Sequence, residues 1–275
     1  MSKLTTPPIA GAALMVALAA CSGGEPADSP PVAEPVEVLH PGSELAARIA
    51  NGDVVFGAFA RPQNAEGGVV AAANRETDFI FYSLETGPWD IATMGRFMAS
   101  MSEASGDAGP HPITLRIPPI REDRSLVTGR VSEGLTAGVE GVVFPHVESA
   151  EDAELAVASL GERSWPGNPE GDVINILLIE DQVGVEAARD IVATPGVTVV
   201  IPGPGDLRRA YEGDMEAVEA AIQTVLAACV ELDVPCGITA GVDDIEMRIE
   251  QGFKLFIVTQ AEAITRGRAA AGRED

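Results

Sequence analysis

Apolar positions along this chain follow two alternating rhythms. Short runs rich in β-branched residues, at 54–58, 79–83, 113–117, 141–144, 174–179, 197–201, 236–239 and 254–258, read as strands. Between them lie stretches such as 90–104, 124–137, 150–160, 185–193, 214–232 and 243–251, where apolar residues recur every three or four positions, as on one face of a helix. This β-then-α alternation, eight units over roughly 220 residues, predicts an α/β fold: a (β/α)8 TIM barrel of parallel strands. A doubly wound open sheet is the alternative, but no GxGxxG follows the first strand. A short helix over 43–50, with Ser43 as cap and Asn51-Gly52 as stop, is expected before the first strand, plugging the barrel floor.

Composition narrows the picture. Apolar residues make up 46% of the 275 and aromatic ones only 4%, so the core must be mostly Val, Ile, Leu and Ala, which suits a barrel interior. With 42 acidic against 18 basic side chains the formal charge is −24, a surface that repels phosphate backbones and argues against nucleic acid as a partner.

The first part of the chain reads as something other than fold. An apolar run over 9–20 has signal-peptide length and is too short to span a bilayer permanently. It ends in Leu18-Ala19-Ala20-Cys21, which resembles a bacterial lipobox. That resemblance implies a signal peptide over 1–20, lipidation at Cys21 as the only attachment to a membrane, and, with Ser22 beside it, sorting to the outer membrane facing the periplasm. Residues 21–41, rich in Pro, Gly, Ala and acids, read as a flexible tether, and 42–275 as the barrel domain. Cys229 and Cys236 are the other cysteines, and both a disulfide and two buried thiols are open for them. No Cys/His cluster has zinc-ligand spacing.

In a barrel, residues just past each strand share one mouth. The second strand is followed by Glu85, the third ends at Arg116, and the fourth leads into Pro145-His146-Val147-Glu148. The fifth runs into Glu180, and the sixth into Gly203-Pro204-Gly205-Asp206. Glu180 and Asp206 would project from the same rim and share one hard cation. Arg116 beside them would hold charge developing on a small anionic oxygen substrate, unless it serves as an interior ion pair.

These segments resemble the HpcH/HpaI aldolase and citrate lyase family of metal-dependent pyruvate aldolases. The resemblance covers about 42–267 and rests on the segments Asp78 to Asp90, Gly141 to Ala150, Ile179-Glu180, and Pro195-Gly-Val through Gly203-Pro-Gly-Asp-Leu207, the most specific of them. It implies a Mg2+, Mn2+ or Co2+ ion held by Glu180 and Asp206. It also implies a 2-oxo acid whose carboxylate is gripped by the Gly205 and Asp206 amides, an enolate steadied by Arg116, and a homo-oligomer, trimer or hexamer. The family's catalytic histidine and its aspartate partner correspond to Thr86 and Thr136, an acid to Ser83 and a glutamine to Leu178. Threonine has no usable pKa near neutrality. Of the three histidines, His40 lies in the tether and His111 before the third strand, which leaves His146 at the mouth. His146, or Glu85 through a metal-bound water, is the candidate base, the alternative being a rim histidine bonded to Glu148 or to backbone.

Two functions from different classes follow. One is a divalent-metal-dependent carbon-carbon lyase acting on a 2-oxo acid or a 4-hydroxy-2-oxo acid. The other is a lipoprotein of the same fold that binds a metal-chelated small carboxylate without turnover.

Overall fold

The computed structural model describes residues 42–273, so the signal peptide, Cys21, His40 and the tether lie outside the described residues. Strands β1 (Val55–Phe59), β2 (Phe79–Ser83), β3 (Ile113–Arg116), β4 (Gly141–Phe144), β5 (Ser164–Trp165), β6 (Val173–Ile179), β7 (Val199–Pro202), β8 (Gly237–Ala240) and β9 (Leu255–Val258) form one sheet, all parallel. The helices are α1 (Glu44–Ala50), α2 (Ala65–Ala73), α3 (Ile91–Ser105), α4 (Val127–Ala137), α5 (Ala150–Ser159), α6 (Gln182–Glu186), α7 (Ala188–Val192), α8 (Pro204–Ala210), α9 (Met215–Glu231), α10 (Ile245–Glu250) and α11 (Ala261–Ala270).

Eight strands pair in the order β7-β6-β4-β3-β2-β1-β9-β8, and the sheet curls until its two end strands approach. Among the described residues they meet at one parallel bridge, Val200 to Cys236, reinforced by the Val200 N–H donating to the Pro235 carbonyl at 3.2 Å. A longer ladder is blocked chemically: Pro202 and Pro235 have no N–H to donate across this seam. The expectation of a parallel α/β sheet therefore holds, with a seam of one bridge where a complete ring would carry a ladder. The ninth strand, β5, was not expected; it sits in the segment 161–171 and takes the first two rungs of β6.

Strand alternation sorts the apolar residues into two cores. Val55, Phe79, Phe81, Val143, Ile174, Ile176, Leu178, Val199, Ile201, Leu255 and Ile257 face the concave interior, where they pack with Leu45, Ala46 and Ile49 of α1. Their neighbours, such as Ile80, Tyr82, Leu177, Ile179, Phe256 and Val258, face outward onto the helices. This period of two on a fully buried strand explains why β6 reads as an apolar run broken only by Asn175, whose side chain donates to the Gly196 carbonyl and accepts from the Thr198 N–H. The Ser43 hydroxyl that caps α1 also donates to Glu140 at 2.6 Å, tying the helix to the start of β4. Cys229 and Cys236 are both buried and free.

Candidate functional site

The carboxyl ends of β2, β3, β4, β6 and β7 converge, and each delivers a polar group. Ser83 ends β2 and its hydroxyl accepts from Arg116 Nε at 3.0 Å. Arg116 ends β3; its Nη2 lies 2.9 Å from Glu85 Oε2, and its guanidinium stands over the Phe81 ring, 5.2 Å from the centroid. Glu85 and Arg116 are thus locked together before any ligand arrives.

Past β4, Pro145 and His146 turn the chain sharply. His146 has φ +52°, a left-handed conformation that is uncommon without glycine and is kept only where surroundings over-determine it. In that pose its backbone N–H donates to Glu180 Oε2 at 3.2 Å, while its ring places Nε2 3.8 Å from Glu180 and Nδ1 3.6 Å from Asp181. Nδ1 is buried and has no hydrogen-bond partner.

Glu180 leaves the end of β6 with its side chain only 4% exposed. Gly203, the cap of α8, lies against it: a Cβ there would come within 2.6 Å of Glu180 Oε1, so this close approach requires glycine. Burial pushes the Glu180 carboxyl up to about 8; the Asp206 charge adds to this, Arg116 opposes it, Glu85 raises it further, and the His146 amide lowers it. An acid so placed favours either a proton or a metal.

The structure brings one ligand atom from each of Glu85, His146 and Glu180 within 4.8 Å of the other two. Two carboxylates and an imidazole nitrogen are a donor set that fits a divalent cation. Asp206 is placed differently: its carboxylate is paired with Arg209, one turn along α8, although its charge reaches Glu180. Gly205 sits in the first turn of α8, where helix geometry leaves N–H groups without intrahelical partners. Thr86 and Thr136 are exposed, and the Thr136 hydroxyl donates back to the Ser132 carbonyl. His111 is buried before β3, away from this mouth.

Two participants escaped the sequence. Asp181 caps α6 through the Gly184 N–H, and its other oxygen takes Arg121 at 3.1 Å. Arg121 also reaches Glu148. As an N-cap beside Glu180, Asp181 carried a structural signal that hid its position against the imidazole.

The family model for HpcH/HpaI aldolase/citrate lyase matches residues 49–255. The chain belongs to this family. Among its relatives, the hydroxypyruvate/pyruvate aldolase of Paraburkholderia phytofirmans is 25% identical over 222 residues, covering 72% of this chain and 82% of that protein. An HpcH/HpaI aldolase/citrate lyase family protein from Burkholderia cenocepacia superposes with a TM-score of 0.67 at 21% identity, over 82% of this chain and 98% of its own. The citrate lyase beta subunit of M. tuberculosis, solved with oxaloacetate and magnesium, does so at 0.59 and 17%, over 82% and 99%. These two structures share the fold of the HpcH/HpaI chain described here.

Proposed function

We propose that this protein is a divalent-metal-dependent carbon-carbon lyase of the pyruvate aldolase type, acting on a 2-oxo acid or a 4-hydroxy-2-oxo acid. The observation that carries the reading is Glu180: a buried carboxyl, pushed up to about 8, with Glu85, His146 and Arg116 converging on it. Family membership and the names of the aldolase relatives support it. We take the Val200–Cys236 seam to complete a closed (β/α)8 barrel, with these groups at its mouth.

Glu180 is the anchor of the metal site in this reading, with Asp206 on one side and the Glu85 and His146 donors on the other. A bound Mn2+, Co2+ or Mg2+ supplies Lewis-acid polarisation of the 2-oxo group; the nitrogen donor favours the first two over magnesium. Arg116, fixed by Glu85, Ser83 and the Phe81 face, presents its charge to the oxygen on which the enolate develops. The first-turn amides at Gly205 and Asp206 meet the substrate carboxylate. Whichever of His146 and Glu85 is left off the ion takes the 4-hydroxyl proton; the C3–C4 bond then breaks, its electrons pass to the enolate, and an aldehyde leaves.

A second reading has its own support. Exposed threonines stand where the resemblance places the family's histidine and aspartate, which suits a lipoprotein that binds a chelated carboxylate without turnover. Exchange of pyruvate methyl protons into D2O separates the two. Exchange that depends on added Mn2+ and is lost in Glu180→Gln supports the lyase, whereas saturable pyruvate binding without exchange leaves the binder.

The Leu18-Ala19-Ala20-Cys21 motif supports an exported protein anchored by lipid at Cys21, facing the periplasm from the outer membrane. Fatty-acid labelling that persists in Cys21→Ser would refute this. A trimeric or hexameric assembly, as the resemblance implies, is part of the same proposal.

A further inference from the structure

The mouth is crowded with carboxylates, and most of its guanidinium groups are consumed by them. Arg116 is held by Glu85, Arg121 by Glu148 and Asp181, and Arg209 by Asp206. Arg61, just past the end of β1, is different. Among the described residues it pairs with no carboxylate, and its partner is the face of Phe59, 5.3 Å from guanidinium carbon to ring centroid.

Phe59 fixes where that charge sits. As the last residue of β1 it packs on the interior core, and it meets Phe81 edge-on with centroids 5.0 Å apart. Phe81 carries Arg116 over its own ring. The two guanidinium groups therefore stand above one aromatic pair that roofs the interior, Arg116 near Glu180 and Arg61 on the β1 side.

The loop bearing Arg61 is tied down on several sides. Gln63 Nε2 donates to the Ser83 carbonyl at 2.9 Å, joining the loop to the end of β2. Asn64 caps α2 through the Gly67 N–H at 3.1 Å. At Gly67 itself a Cβ would fall 1.7 Å from the Pro62 carbonyl oxygen, so α2 supports the loop backbone by direct contact. An uncommitted cation on a braced loop is preorganised for an anion.

We propose that Arg61 is a specificity-determining residue that binds a second carboxylate, at the end of the substrate remote from its 2-oxo acid group. The inference rests on the metal-dependent reading above and narrows its substrate class to 2-oxo diacids. In a chain of charge −24, each added substrate charge is repelled unless a fixed cation receives it. A guanidinium and a carboxylate form the charge-assisted, two-pronged contact that does this.

Titration calorimetry on the full chain with Mn2+ tests it, using two probes of equal length, 2-oxoglutarate and 2-oxopentanoate. The unmodified protein is expected to bind the diacid about tenfold to a hundredfold more tightly. In Arg61→Gln that ratio falls to near one while 2-oxopentanoate affinity is unchanged, and Arg61→Lys restores part of it. A preference for the diacid that survives in Arg61→Gln overturns the inference, as does equal affinity for both probes in the unmodified protein; either result leaves the metal site standing. If neither probe binds in the presence of Mn2+, the metal-dependent reading fails and this inference with it.

Discussion

Asp78 and Glu180 are equally buried, with side chains 5% and 4% exposed, at opposite ends of the same sheet, and their surroundings differ in kind. Asp78, immediately before β2, accepts from the Phe56 N–H at 2.8 Å and from both terminal nitrogens of Arg273 at 2.6 and 2.7 Å. Arg48 and Arg268 stand at 3.7 and 3.9 Å. Glu180, past the end of β6, has one backbone donor at 3.2 Å and two further acids acting on it. The first carboxylate is satisfied by fixed cations of the chain itself. The second is short of positive charge, which is how a structural acid differs from one that awaits a cation.

The largest expected effect separates these two acids by substitution. Asp78→Asn removes the charge that accepts from the Phe56 N–H and from both terminal nitrogens of Arg273, and should destabilise the metal-free protein by about 3 kcal/mol. Glu180→Gln should instead stabilise the metal-free protein at neutral pH, by about 3 kcal/mol, because the folded carboxyl with a pKa near 8 is still mostly protonated while the unfolded chain gains by ionising a glutamate and gains nothing from a glutamine. Metal-dependent exchange should show the reverse order: abolished in Glu180→Gln and retained by folded Asp78→Asn. Urea unfolding in the presence of a chelator gives the stabilities, and equal destabilisation by the two variants would erase the distinction.

The same contrast explains what could be read from the chain. Position in a β/α unit was legible: β2, β4 and the residues that follow each strand lie where alternation and turn chemistry put them, because a parallel sheet forces strand ends to one rim. Helices α2, α8 and α11 were not singled out. In α2 the composition is mostly Ala and Gly and gives no polar face, while α8 is too short to show a period. The run 185–193 falls on the end of α6 and on α7: α6 starts earlier, at Gln182, because Asp181 caps it, and α7 follows with no side-chain cap. In the site, candidate groups could be named but not their pairings. The turn of Asp206 toward Arg209, the left-handed backbone at His146 and the lock between Glu85 and Arg116 arise from contacts between distant or freely rotating groups, which no local pattern encodes.

A smaller and graded effect comes from pH. Glu180 is raised from the usual 4.5 to about 8, so the folded, metal-free protein binds a proton there that the unfolded chain has released. Its contribution to stability is therefore fully present below about 4.5 and lost as pH rises through about 8, a span worth up to about 5 kcal/mol. Subtracting the stability of Glu180→Gln from that of the unmodified protein at each pH isolates this group from the rest of a highly acidic chain. The difference should fall steadily toward pH 8 and level off above it. Added Mn2+ should reverse the fall, because a cation and a proton compete for the same carboxylate: Mn2+ affinity should strengthen about tenfold per pH unit up to about 8 and then flatten. Asp78→Asn should leave this profile in place, since the floor acid does not meet the metal. A stability difference that is flat from pH 5 to 9 would mean that fixed donors of the chain satisfy Glu180 as they do Asp78, and the case for a cation at the mouth would lose its physical basis.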